Sequence, residues 1–208
     1  MGEIVMVIGK SGSGKSTSLR NFKNGEIGIL NVMGKRLPFR EKLDSVNRPD
    51  YATCEAALKG NKFNAYVIDD STYLMQLENF EKATQKGYDK FTEMAQNFEH
   101  LLLTALADTS DDTLVYLLHH PQFSDDGSAK PQTIGKMLDN QFNIEGAFPI
   151  VIECAVVDGE HKFITKNNGQ NIVKTPMGMF EDAVIDNDLK AVDTIIRDYW
   201  GMKGLSEK

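Results

Sequence analysis

The sequence predicts an α/β fold: a mainly parallel sheet flanked by helices, with a C-terminal antiparallel hairpin extension. Three observations lead there. Short apolar, β-branched runs at 4–8, 27–32, 64–68 and 114–118 alternate with segments long enough for helices. The first run enters a glycine-rich stretch, Gly9 to Ser16, and then a helical pattern. Late in the chain, Asp158-Gly159 stands between two strand-like runs, the signal for a two-residue hairpin turn.

Taken in order, Glu3 to Ile8 is the first strand, closed by Gly9. A helix starting near Gly14 is expected to pack Leu19 and Phe22, with Gly25 ending the unit. Ile27–Val32 is the second strand, followed by a polar and basic loop through Pro49. Pro49 suits the first turn of a helix running to about Lys59, which Gly60-Asn61 terminates. Asn64–Ile68 is the third strand, and the unbroken apolar run Tyr66-Val67-Ile68 fits burial on both faces. Phe91, Met94, Phe98, Leu101, Leu102 and Ala105 recur at three and four, which predicts a helix over Tyr88–Ala107. Leu114–Leu118 is the fourth strand, entered from the acidic turn Asp108–Asp112. Pro121–Pro131 is expected as a long mobile loop and Ile134–Phe142 as a helix. Pro149–Val157 and His161–Lys166 form the hairpin, and the turn Asn167-Asn168-Gly169 leads to Ile172-Val173. A last helix over Asp188–Tyr199 takes Asn187 or Asp188 as its cap and ends at Gly201 and Gly204. One domain over residues 1–200 with a short flexible tail over 201–208 is the implied organisation.

Composition narrows the class. An apolar share of 41% and a charged share of 25% are those of a packed domain and not of a disordered chain. The net charge of −7 argues against a surface that wraps nucleic acid by bulk electrostatics, while leaving room for a local basic groove. Cys54 and Cys154 have no metal-type neighbours and read as buried free thiols; the histidines supply no zinc spacing with them. No run approaches the ~18 apolar residues of a membrane span, so a cytoplasmic location is expected.

The stretch Gly9-Lys10-Ser11-Gly12-Ser13-Gly14-Lys15-Ser16 satisfies GxxxxGK[ST] at every required position and lies between a strand and a helix. Its glycines let successive backbone N–H groups turn inward on a phosphate. Lys15 is then the cation for the β- and γ-phosphates, Ser16 the hydroxyl ligand of Mg²⁺, and Thr17 a contact for the α-phosphate. Gly9, Ser11, Gly12, Ser13 and Gly14 complete the nucleotide-binding set, with ATP and Mg²⁺ as ligands. Asp69 and Asp70 end the third strand, where a carboxylate can reach a magnesium-bound water. Alternation lets one of them face the site; the Asp-Ser pattern at 70–71 favours Asp70, leaving Asp69 to cap a turn or position water. His119 and His120 end the fourth strand. His119, directly after the apolar run, is the preferred γ-phosphate sensor; the alternative is a histidine satisfied by neighbouring backbone.

With these residues in view, the chain resembles the RecA-type ATPases. More narrowly it resembles a compact, phage-encoded group of single-strand DNA recombination proteins. The matching stretches are GKSGSGKST at 9–17, AYVIDDSTYL at 65–74, LVYLLHH at 114–120, KFITKNN at 162–168 and VKTPMGMF at 173–180. The resemblance implies a RecA-like P-loop core lacking added oligomerisation domains, hydrolysis of ATP, action on single-stranded DNA in phage recombination or replication, and a homo-oligomer. A phage or host single-strand binding protein is a further implied partner, and the host cytoplasm the implied location. On this analogy Asp70 is the Walker B residue, Lys15, Asp69, Asp70 and His119 form the catalytic set, and His119 replaces the glutamine that couples nucleotide to DNA. One position departs from the pattern: RecA-type enzymes place a glutamate just after the second strand, where this chain reads Leu30-Asn31-Val32, with Glu41 the next carboxylate downstream.

Lys162, Lys166 and Lys174 gather on the acidic chain's C-terminal part; phosphates of DNA or a neighbouring subunit's γ-phosphate are candidate targets, and a solvated lysine face is the alternative. Phe123, Phe163 and Phe180 offer stacking faces, with core packing the better reading of Phe163. Two other functions remain open. A small-molecule or nucleotide kinase fits the length, but the 121–131 loop carries Lys130 and no arginine, where a lid supplies arginines. A module that holds ATP and barely hydrolyses it fits the missing glutamate.

Overall fold

The structure is a computed structural model, and it describes residues 1–124, 128–135, 138 and 143–206. It is a mixed α/β fold whose central eight-stranded sheet is flanked by helices and ends in a C-terminal antiparallel hairpin. The strands are β1 (Glu3–Ile8), β2 (Gly28–Asn31), β3 (Ser45–Asn47), β4 (Ala65–Asp69), β5 (Leu114–His119), β8 (Ile150–Val157), β9 (Glu160–Ile164) and β10 (Val184–Asp186). Their order across the sheet is β10-β9-β8-β1-β5-β4-β2-β3. Every pairing from β8 to β3 is parallel, and β9 and β10 add antiparallel neighbours beyond β8.

The alternation of side chains along these strands builds two cores. Ile4, Met6 and Ile8 of β1, with Ile68 and Leu117, face the helices α1 (Tyr51–Lys59), α2 (Thr72–Glu81) and α3 (Asp89–Ala107). Val5 and Val7, with Val67 and Leu118, face the other way, against Leu19, Phe22 and the helix Leu189–Trp200. The helical periodicity of α3 is the one the sequence predicts: Met94, Phe98, Leu101, Leu102 and Ala105 are all buried.

Several elements differ from the expectations. Ser16–Asn21 forms a six-residue 3-10 helix, shorter and tighter than the helix expected after Gly14. The Ser18 hydroxyl donates to the Lys15 carbonyl at 2.6 Å, the kind of local bond that competes with an α-helical ladder. α1 starts at Tyr51, not Pro49, because the Asp50 carboxylate caps Thr53 N at 2.8 Å. The span 121–131 carries a two-stranded ladder, β6 (Pro121–Phe123) against β7 (Ala129–Pro131). Its prolines pair with one another at the end of the ladder, where a missing N–H is tolerated. Of the helix expected over 134–142, residues 136, 137 and 139–142 lie outside the described residues; a short helix, α4 (Ile144–Ala147), follows. The Ile172-Val173 segment contributes a single bridge, Lys174 to Val151. β3, α2 and β10 were not expected at all.

The hairpin turn is as expected: Asp158 and Gly159 both have positive φ, 52° and 82°. The final helix, α5 (Leu189–Trp200), is capped by Asp188, which accepts from Lys190 N and Ala191 N, and ends at Gly201. The stretch expected as a flexible tail is tied down as far as it is described. Lys203 N donates to Asp112 Oδ1 at 2.9 Å, the Gly204 carbonyl accepts from Asn64, and Met202 and Leu205 pack on the α5-side core. Among the described residues no helix is long and apolar enough to cross a membrane.

Candidate functional site

Sheet order decides where chemistry collects. β1, β4 and β5 stand side by side and parallel, so the chain segments leaving them, 9–16, 70–71 and 120, meet at one edge. A cleft of about 250 Å³ opens there, lined by Ser11, Gly12, Gly14, Lys15, Ser16 and Thr17 from the glycine-rich loop and by Asp69, Asp70 and His120 from the two strands. Lys35, Arg36 and Pro38, from the loop after β2, form its remaining wall. Gly9 and Ser13 face a second cavity of about 370 Å³, shared with Phe123, Glu153 and Cys154.

The loop is held in shape by its surroundings. A Cβ on Gly9 would lie 2.4 Å from the Cys154 carbonyl, so only glycine fits against β8. Gly14 has φ +105°, and a Cβ there would meet the His161 ring at 2.8 Å. The Ser13 carbonyl accepts two bonds, from Cys154 Sγ at 3.1 Å and from the Nδ1–H tautomer of His161 at 2.8 Å. Burial pushes the Cys154 thiol up to about 11, so it is a neutral donor. Cys54, pushed up to about 12 by burial, is likewise an unpaired buried thiol, as expected.

Lys15 is 6% exposed, and its ammonium donates to the carbonyls of Gly9 at 2.6 Å and Lys10 at 3.1 Å. Burial lowers its pKa, although the neighbouring carboxylates Asp70 and Asp69 oppose the shift. Ser16 Oγ donates to Asp69 Oδ1 at 2.9 Å. The sequence reading favoured Asp70 for the place beside Ser16; the structure puts Asp69 there. The reason is alternation. Asp69 shares a face of β4 with Val67, which packs on the side of Leu19 and Phe22 and hence of the Ser16 helix. Asp70 has left the strand with φ 61°, and its carboxylate meets Lys35 Nζ at 2.8 Å and His120 Nε2 at 3.4 Å.

The two carboxyls are shifted in opposite senses. Burial pushes Asp69 up to about 6, against the Ser16 bond and with help from Asp70. Burial would raise Asp70 as well, but hydrogen bonds from His120 and Lys35 outweigh it and hold that group below the usual range. The Asp70 hydrogen bond raises the Lys35 ammonium in turn.

His119 is fully buried and does not line the cleft, which corrects its expected role as a γ-phosphate sensor. It projects to the α3 side, near Phe98, with Nδ1 against Ser71 Oγ at 2.9 Å and Nε2 against the Gln132 carbonyl at 2.8 Å. Burial lowers it to about 4, so it is a neutral structural histidine, the alternative left open at the start. The next residue turns the other way, and His120 is the histidine in the cleft.

Asn31 is buried at the end of β2, where the resemblance expects a glutamate. Its side-chain amide donates to the Lys35 carbonyl at 2.6 Å. Glu41 does not line the cleft and sits 3.8 Å from Lys23. Of the C-terminal lysines, Lys162 pairs with Asp186 at 2.8 Å and Glu160 at 3.0 Å, Lys166 donates to the Glu181 carbonyl at 2.5 Å, and Lys174 to Gly146 at 3.4 Å. Phe163 and Phe180 are core residues; Phe123 is 48% exposed, with Lys10 Nζ 4.6 Å from its ring centroid.

Sequence reasoning missed Lys35 and Arg36, whose only local signal was a basic loop after a strand, and the supporting pair Cys154 and His161, which are remote in sequence. Among the described residues no group of three or more His, Cys, Asp or Glu side chains is arranged around a metal position. A cation here would rest on the hard oxygens of Ser16 and Asp69, a donor set that suits Mg²⁺ when phosphate and water supply the other ligands. No family model matches the chain, and no curated protein matches it.

Proposed function

We propose that the chain binds ATP with Mg²⁺ at the glycine-rich loop and hydrolyses it. The observation that carries this reading is the Ser16–Asp69 hydrogen bond beside the buried Lys15, inside a GxxxxGK[ST] loop that follows a buried parallel strand. In this reading Lys15 leaves the carbonyls of Gly9 and Lys10 for the β- and γ-phosphates, and the N–H groups of 11–16 surround the β-phosphate. Ser16 and Asp69 would hold Mg²⁺, which when bound would offset charge on the phosphate oxygens. Water adds to the γ-phosphorus, the bond to the bridging oxygen breaks, ADP leaves with the electron pair, and the water proton passes to phosphate or solvent. The mainly parallel sheet with its antiparallel edge agrees with the RecA-like core that the sequence resemblance implies. That resemblance extends the proposal to single-stranded DNA as the effector, in phage recombination or replication, with a homo-oligomer as the working form.

A specific observation favours a second reading, a nucleotide-gated module with little turnover. The two carboxylates lining the cleft are both engaged, Asp69 by Ser16 and Asp70 by Lys35 and His120, so neither stands ready as a base. ATP turnover measured on one preparation with and without single-stranded DNA tests both. Mg²⁺-dependent turnover that DNA stimulates is the expected result. Tight ATP binding without turnover supports the module, and turnover that requires a small acceptor supports a kinase.

A further inference from the structure

We propose that Lys35 and Arg36, on the loop after β2, grip the γ-phosphate from within the same chain, with Asp70 as the resting partner of Lys35. This deepens the triphosphate reading and rests on it. Both residues line the cleft together with Lys15 and Ser16. The loop is built to deliver them: Gly34 N donates to the Asn31 carbonyl at 3.0 Å, and the Asn31 amide holds the Lys35 carbonyl at 2.6 Å. The residue standing where a glutamate is expected therefore fixes the backbone that carries two cations.

Both side chains lie at the surface, Lys35 paired with Asp70 and Arg36 without a partner among the described residues. The Lys35 side chain is 58% exposed and its ammonium lies 5.2 Å from the Tyr73 ring, so it can swing from Asp70 toward an incoming phosphate through solvent. Asp70 is not stranded by that departure, because His120 remains 3.4 Å away. Arg36 is exposed and has no ion pair or hydrogen bond among the described residues, so its planar fork is available for phosphate oxygens. The basic residues expected to reach a γ-phosphate from the C-terminal part are instead committed, Lys162 to two carboxylates and Lys166 and Lys174 to backbone carbonyls. A triphosphate ending in the cleft would find cations on both walls, Lys15 on one and Lys35 with Arg36 on the other, whereas a diphosphate would engage the first wall alone. The device distinguishes ATP from ADP.

The test is a titration of fluorescent ATP and ADP analogues, with Mg²⁺, into the wild type and into Lys35→Ala, Lys35→Arg and Arg36→Ala. The wild type is expected to prefer ATP. Lys35→Ala should lose about tenfold in ATP affinity with ADP affinity unchanged, the scale of one charge-assisted contact. Lys35→Arg should restore most of it, and Arg36→Ala, which has no partner to disturb in folding, should lose a smaller part. The losses should not depend on protein concentration, since the cations act within one chain. Unchanged preference for ATP in both alanine variants overturns this inference and leaves the triphosphate reading standing, as does a loss shared equally by ATP and ADP. A wild type that binds neither nucleotide overturns both.

Discussion

Lys15 illustrates how one buried charge is held in reserve. Its ammonium is kept in the loop by the backbone carbonyls of Gly9 and Lys10, while Lys15 itself lines the cleft. Lys15→Ala is expected to weaken ATP binding by roughly a hundredfold or more, from lost contacts to two phosphates, while circular dichroism and thermal unfolding stay close to wild type. Asp69→Asn has a less obvious outcome. The folded protein raises this carboxyl from 3.8 to about 6, so the folded state holds its proton more tightly than the unfolded state does. The resulting penalty is absent below the unfolded pKa, grows as pH rises between the two values, and is complete above about pH 6. Asparagine removes it and can still accept from Ser16. Denaturant unfolding should find Asp69→Asn more stable than wild type at pH 7.5, by on the order of 2–3 kcal/mol, with the gain vanishing near pH 4. The same variant should depress Mg²⁺-dependent turnover more than Asp70→Asn does; equal effects would count against Asp69 as the metal-side residue. The neighbouring pairs 69/70 and 119/120 were visible in the sequence, but their facing was not. It depends on which side of the sheet the Ser16 helix packs, and that is settled by Leu19 and Phe22 finding Val67 and Leu118.

At the scale of elements, the apolar runs located β1, β2, β4, β5 and β8, because buried strands write their burial into consecutive residues, while β9, half-exposed, was located by the Asp158-Gly159 turn. β3 and β10 were illegible for the opposite reason. Ser45-Val46-Asn47 and Val184-Ile185-Asp186 are short outer strands with exposed residues, and nothing in three such residues distinguishes them from a loop. α2 escaped because its cap-type residues Asp70-Ser71-Thr72 were read as part of the strand-end site; Ser71 is in fact helical and makes no capping bond, its hydroxyl being directed to Leu118 O and His119. α5 was legible because Asp188 announces it. That carboxylate also accepts from Asn21 Nδ2 at 2.7 Å, joining the cap to the end of the 3-10 helix. Asp188→Ala should therefore lose about 1 kcal/mol or somewhat more, read as a fall in Tm of roughly 2–4 °C. An unchanged Tm would show that the cap contributes nothing net.

The whole molecule is fastened at the edge opposite the cleft by Arg197. Its guanidinium meets Asp193 Oδ1 at 2.5 Å and the carbonyls of Asn64, Asp112 and Lys203 at 2.6, 2.8 and 2.7 Å. One side chain thus joins α5, the entries to β4 and β5, and the residues after α5. Asp193 is fully buried and also accepts from Tyr116 OH at 2.8 Å. Arg197→Met leaves that carboxylate without its cation and should cost about 3–5 kcal/mol, measured by urea unfolding. Pairing it with Asp193→Leu should recover part of the loss, and a double variant no better than the single would show that the ion pair is not the source.

The glycine-rich loop bears on the speed of recognition as well as its chemistry. Its Ser13 carbonyl is pinned by Cys154 and His161, and Gly9 is packed against β8. A loop so braced loses little backbone entropy when a ligand arrives, and its backbone has no rearrangement to complete before phosphates seat. Under the proposed triphosphate reading, whatever hesitation binding shows belongs to side chains that have to let go, Lys35 from Asp70 and Lys15 from the carbonyls of Gly9 and Lys10, and not to the loop backbone.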